Sequence, residues 1–390
     1  MSVLLVFLLS LSAFSAIKSE ISGNAELQGR HSWNNREARK EYYQNWREED
    51  FYLGYGNLNA KFTGKESTVE GNVFARHSRS DLYRGDFAAA RFFNFPQTLV
   101  ARDVFKLQHV NENSKTRDEV VLNKLYYQWE NEEARFIGGR FYINYGLGEI
   151  FNPINPFNQP TGLTSISQVA QGNDGLGFSY YSGGNHKVDF YLLGDKRING
   201  YDGEIQRTLW AHGEIQISGD FELDYVVGED QDRDKIGTQL SYQLDDNLFF
   251  FQGLYQNNLK SKKKSDNLID ILLGYDRQLT GKWHVRMESG YQKTNRYATL
   301  TNSDRFLPTE YFIALANQYE IHPLVKTTLT LINDIKSGFT YGLFRVTASV
   351  SDNAEAELFG YSPVSKGDRA DNVTQKLVTQ DIGGAVRYFF

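Results

Sequence analysis

Apolar and polar side chains alternate along most of this chain in short segments, the period of a strand with one greasy face and one wet face. Trp283, Val285, Met287 and Tyr291 fall on one face of such a segment, and His284, Arg286, Glu288 and Gln292 on the other. Val325, Thr327, Leu329 and Leu331 oppose Lys326, Thr328, Thr330 and Asp334. Phe344, Val346, Ala348 and Val350 oppose Arg345, Thr347 and Ser349, while Phe221, Leu223, Tyr225 and Val227 oppose Glu222 and Asp224.

The breaks between segments are alternately tight and long. Turn-forming residues predict tight connections at 63–67, 130–133, 182–185, 218–220, 245–247, 280–282, 320–323 and 351–353. Longer or more charged breaks fall at 34–48, 80–118, 144–173, 196–205, 229–235, 259–266, 295–308, 335–337 and 362–379. This rhythm predicts an all-β, antiparallel up-and-down barrel of about 18 strands, with 16 the other even count. With the tight set in the periplasm, both termini are periplasmic as well. Residues 97–112 would make the strand count odd, so they are assigned to a long outer loop or a hairpin above the membrane.

Composition supports a membrane barrel over a helical membrane protein. Mean hydropathy is well below zero with 40% hydrophobic residues, and only a barrel spans a membrane with so hydrophilic a sequence, because half of each strand faces water. Aromatic residues at 14% fit girdles at the two interfaces. No Cys is present, which suits passage through an oxidising compartment. A net charge of −6 argues against a nucleic-acid partner. The apolar run from Val3 to Phe14 is too short to span as a helix and reads as a cleaved secretory signal over residues 1–15, with cleavage after Ala16 the other reading. Residues 16–390 then form a single barrel domain.

The chain ends Asp381-Ile382-Gly383-Gly384-Ala385-Val386-Arg387-Tyr388-Phe389-Phe390, with Ile382, Val386, Tyr388 and Phe390 on one strand face. A terminal Phe with apolar residues two and four places before it resembles the C-terminal assembly signal of Gram-negative outer-membrane β-barrels. The resemblance implies outer-membrane lipid, lipopolysaccharide and the barrel-assembly machinery as partners.

The strongest functional candidate runs from a strand into the break at 144–173. Three prolines, Pro153, Pro156 and Pro160, with Gly146 and Gly148, forbid a regular strand there. A stiff loop folded into the bore would put Arg140, Tyr142, Tyr145, Glu149, Asn152 and Asn155 at the narrowest point, where charged and polar groups select solutes. The other reading makes Arg140 a wall residue paired with a nearby carboxylate. Gly139-Arg140, Tyr145-Gly146-Leu147-Gly148 and Phe151-Asn152-Pro153-Ile154-Asn155-Pro156-Phe157 resemble the G-R-Q-x-I-x-W-G-x-G-x-x-x-P-x-D-x-F signature of a porin-like group of outer-membrane barrels. The chain departs from it at Phe141, Tyr145 and Asn155.

Lys124, Arg286, Glu288, Lys326, Arg345 and Arg387 are assigned to the lumen, because a charge facing lipid near mid-membrane costs about 2 to 4 kcal/mol. Lumenal charges of both signs predict weak ion selectivity, and Tyr126, Tyr142 and Tyr191 leave a sugar track open. Glu229, Asp230, Asp232 and Asp234 begin like a calcium loop, but Lys235 replaces its turn glycine. Lys260, Lys262, Lys263 and Lys264 form a basic tip suited to anionic lipopolysaccharide or simply to water. No hydrolase, phosphate-loop or dinucleotide motif is present, and no cofactor is expected. The chain is expected to be no enzyme but a passive diffusion channel for small polar solutes. The alternative is a non-conducting barrel that acts through its outer loops.

Overall fold

A computed structural model describes residues 17–33, 48–80, 100–102, 108–112, 116–157, 172–195, 206–230, 233–259, 267–292, 310–336, 338–365 and 380–390. The expected signal segment, Pro160, the basic tip at 260–264 and most of the break at 80–118 lie outside these residues. The strands are β1 (Lys18–Trp33), β2 (Glu48–Thr63), β3 (Ser67–Ser80), β4 (Val100–Arg102), β5 (Gln108–Glu112), β6 (Thr116–Glu130), β7 (Ala134–Phe141), β8 (Gly172–Ser182), β9 (His186–Asp195) and β10 (Gln206–Ser218). They continue as β11 (Phe221–Asp230), β12 (Arg233–Leu244), β13 (Asn247–Asn258), β14 (Leu268–Thr280), β15 (Trp283–Gln292), β16 (Tyr311–His322), β17 (Val325–Asp334), β18 (Phe339–Ser351), β19 (Ala354–Ser365) and β20 (Gln380–Phe389).

Eighteen of these form a closed antiparallel wall in which each strand pairs with the next, β3 with β6, and β20 with β1. Closure pairs the first strand with the last, so neither is left as a free edge. The seam is completed at the last residue, where Gly23 donates its N–H to the Phe390 carbonyl (2.8 Å) and Phe390 donates back to the Gly23 carbonyl (3.0 Å). The tight turns fall where turn chemistry predicts them, with the connection after β16 shifted to Pro323-Leu324. Between β8 and β9, Gly183 and Gly184 both have positive φ (61° and 88°), the backbone that a twisted two-strand turn demands.

Alternation decides the faces as expected. Ile382, Val386, Tyr388 and Phe390 are exposed on the outer surface, whereas Asp381 and Ala385 are buried inside. On β15, Met287 is exposed outward while Arg286, Glu288 and Gln292 are buried inward.

Two features depart from a plain barrel. β7 is only 8 residues long, and above it the gap beside β6 and β8 is filled by β5, antiparallel to β6, and β4, parallel to β8. Part of the segment at 97–112 is therefore wall and not an outer loop. The reason is the early exit of β7, which would otherwise leave the upper half of β6 and the start of β8 unpaired on that side. The second feature is an apolar interior. Ile150 and Phe151 pack with Phe250, Leu272, Phe312, Leu343 and Phe359, and Ile143, Ile154 and Phe157 pack with Tyr191, Leu193, Trp210 and Leu254. The lumen thus holds a folded segment that packs its apolar side chains against the inner face of the wall.

Candidate functional site

The filling segment starts where β7 ends. Gly139 has φ +124°, and a Cβ there would collide with the Leu125 carbonyl, so only glycine allows β7 to lie this close to β6. One residue on, Arg140 turns into the wall. Its Nε and Nη2 donate to Asp174 Oδ1 (2.6 Å) and Oδ2 (2.8 Å), and its Nη1 donates to the Leu122 carbonyl (2.8 Å). Arg140 is 1% exposed. A planar guanidinium gripping a carboxylate with two parallel bonds suits such a buried anchor.

Beside this root, β6 carries a register shift between its pairings with Asn72 and Val73, a bulge at Asn123. A bulge inserts one residue and re-aims its neighbours, so Asn123 and Lys124 both face inward. Both reach Tyr142. Asn123 Nδ2 donates to the Tyr142 hydroxyl (2.7 Å), and Lys124 Nζ sits 4.6 Å from the centre of the Tyr142 ring. Lys124 also pairs with Glu70 (2.6 Å), which accepts a second bond from the Tyr126 hydroxyl (2.6 Å).

Residues 142–157 then cross the bore as a stitched loop. Gly146 takes φ +82°. Asn152 Nδ2 donates to the Tyr145 carbonyl (2.8 Å), and so does Asn155 Nδ2 (3.3 Å). Asn155 Oδ1 accepts from the Phe157 N–H (3.1 Å). These amides replace the backbone partners that Pro153 and Pro156 cannot supply. On the way, Tyr145 stacks on His212 of β10 (4.4 Å, 10°), and the Leu147 N–H reaches Gln239 of β12 (2.9 Å).

The loop lands on β15, which counting from β8 is eight places round the wall from β7 and so almost directly opposite. There Glu288 accepts the N–H groups of Glu149 (2.7 Å), Ile150 (3.0 Å) and Phe151 (3.2 Å). Arg286 donates to the Leu147 carbonyl and pairs with Asp276 (2.9 Å), Glu288 (2.9 Å) and Glu149 (3.3 Å). The loop is a strut rooted beside the Arg140–Asp174 pair and held at its far reach by Glu288 and by the Arg286–Glu149 pair.

The six residues expected at a constriction thus divide by role. Tyr142 and Tyr145 are half-buried, and the Glu149 side chain is 63% exposed into the bore. Arg140, Asn152 and Asn155 are buried and hold the strut in shape, so Arg140 takes the paired, wall-residue reading. Lys124, Arg286, Glu288, Lys326, Arg345 and Arg387 all lie on inward positions, as alternation requires. Arg286 and Glu288 are covered by the loop. Arg345 pairs with Glu357 (3.4 Å), and Arg387 with Glu26 (2.6 Å) and Glu355 (3.0 Å). Tyr191 leaves the suggested aromatic track, because it is packed against Phe141 beneath the loop.

Sequence reasoning missed Asp174, Asn123, His212 and Gln239. The apolar interior had a signal, since Leu248, Phe249, Phe250 and Phe251 run consecutively and break the alternation. Among the described residues no group of His, Cys, Asp or Glu is arranged to hold a metal ion.

No protein-family model matches the sequence, and no curated protein matches it. The fold is that of solved outer-membrane porins of the Occ/Opd type. Acinetobacter baumannii OccAB4 superposes with a TM-score of 0.58 at 8% identity, covering 96% of this chain and 98% of that one. Pseudomonas aeruginosa OccK8 (OprE) gives the same values. Pseudomonas aeruginosa OccK2 (OpdF), solved in complex with glucuronate, gives 0.57 at 9% identity, covering 96% and 98%. At these identities the likeness concerns architecture alone.

Proposed function

We propose that this chain is an outer-membrane channel through which small polar solutes diffuse passively, with weak ion selectivity and without catalysis. The observation that carries the reading is the strut at 142–157, rooted beside the Arg140–Asp174 pair and held across the bore by Arg286 and Glu288 through Glu149 and the backbone of 147–151. A loop fixed at both walls narrows a pore to a defined aperture, which is how pores sort solutes by size and polarity. The loop presents Tyr142, Tyr145 and Glu149 to that aperture, while Arg140, Asn152 and Asn155 keep it rigid. The apolar outer surface suits lipid and the lipid part of lipopolysaccharide. Residues 1–15 are removed on export, both termini face the periplasm, and the strand ending in Phe390 is what the assembly machinery engages.

A second reading, a sealed barrel acting through its outer loops, is favoured by one observation. Leu53 and Phe74, on β2 and β3 and outside the two apolar clusters around the strut, point inward and are buried too. Single-channel recording of the refolded protein in a planar bilayer separates the two. Steady conductance with a small reversal potential under a salt gradient supports the channel. Silence from correctly folded protein would sink it and favour the sealed barrel.

A further inference from the structure

The charges on the inner wall are paired in a way that bears on cargo. Toward the tight-turn end, Lys124 meets Glu70, Arg387 meets Glu26 and Glu355, and Arg345 meets Glu357. Arg135 (3.3 Å) and Lys187 (2.9 Å) share Asp189, and Lys326 stands opposite Glu320 in the β16–β17 register. Glu26 is further occupied by the Tyr55 hydroxyl (2.8 Å). Carboxylates continue where these cations end, with Glu214 opposite Asp224 and Gln216 opposite Glu222 in the β10–β11 register.

From this arrangement we infer that the channel selects neutral, hydroxyl-bearing solutes, small sugars and polyols, over carboxylates of the same size; the inference rests on the channel reading above. A carboxylate solute gains most from a cation whose donors are unclaimed. Here each of these cations already faces a protein carboxylate, and the surplus of acidic groups repels a further negative charge. A hydroxyl donates and accepts at once, so it exchanges bonds with an ion pair such as Lys124–Glu70 without disturbing its charge balance. Beside that pair, the half-buried rings of Tyr126 and Tyr142 offer apolar faces to the C–H side of a sugar. The wall therefore differs in cargo logic from one that binds a sugar acid.

The test is isosmotic swelling of liposomes carrying the refolded full chain, in glucose and in sodium glucuronate, with reversal potentials recorded in parallel. Glucose is expected to enter about fivefold faster, the factor expected from like-charge repulsion in a water-filled pore. Glu70→Gln, which leaves Lys124 uncompensated, should narrow that ratio and shift the reversal potential toward anions. Lys124→Gln should move both the other way. Glucuronate entering as fast as glucose, or both variants keeping the original ratio, would overturn the inference and leave the channel standing. Swelling in neither solute by folded protein would remove the channel and the inference together.

Discussion

Arg140 and Asp174 meet as direct cross-strand partners in a two-pronged ion pair, 2.6 and 2.8 Å, at the level where β7 leaves the wall. Both side chains are 1% exposed. Removing one member of such a pair strands the other charge in a dry site, which costs about 3 to 5 kcal/mol. Asp174→Asn should therefore lower the temperature at which the folded, fast-migrating gel band converts to the unfolded one. Replacing both, Arg140→Met with Asp174→Leu, should recover part of the loss. A single variant that melts like the parent would show that the pair is not the anchor.

Glu288 holds the far end of the strut through three backbone N–H groups. Each would be left without a partner in Glu288→Ala, at about 1 to 3 kcal/mol apiece where water cannot reach it. The loop should then release from β15. In bilayer recordings this variant is expected to show larger and noisier conductance, with Glu288→Gln intermediate because one acceptor oxygen remains. Unchanged conductance in both would place the aperture elsewhere.

Gly146 is needed for its backbone. At φ +82° a side chain is strained, and its Cβ would meet the Asn152 amide that stitches the loop. Gly146→Ala should cost about 1 to 2 kcal/mol and loosen the strut in the same conductance assay. Gly219→Ala, in a tight turn with open space around it, should stay within about 0.5 kcal/mol of the parent. Thermal conversion of the two variants on gels compares them directly.

Phe390 closes the seam through both of its backbone groups, and its ring lies where a Cβ on Gly23 would be. Deleting Phe390 removes the ring contact and two seam hydrogen bonds. The fraction of chain recovered as folded barrel is expected to fall, both in refolding and in membranes, while the secondary structure of what does fold is unchanged.

The sequence makes the wall legible because strand alternation is a local signal. Trp283 and Met287 against Arg286 and Glu288 assign two faces with no knowledge of the rest of the chain. The strut was legible only as a stiff loop that had to go somewhere. Arg140 reads the same at an inward strand position whether it faces water or Asp174, and that distinction depends on a residue thirty-four places away. Glu288 is harder still, since its partners lie 137 to 139 positions upstream and are backbone groups that no side-chain pattern marks. Asn152 and Asn155 look like lining residues, yet prolines on either side give their amides work inside the loop.

The patch formed by β4 and β5 sets a chronology for the barrel. β5 completes the upper edge of β6, which follows it closely, but β4 lies parallel to β8 and meets it only after some seventy residues more have been laid down. Most wall strands pair with the next in the chain; the exceptions are β3 with β6 and the closing pair of β20 with β1, and the β4–β8 contact is one more pairing between distant segments. The wall beside the root of the strut is thus completed by chain from two distant places, and without the β4–β8 pairing that panel would lack its side against β8.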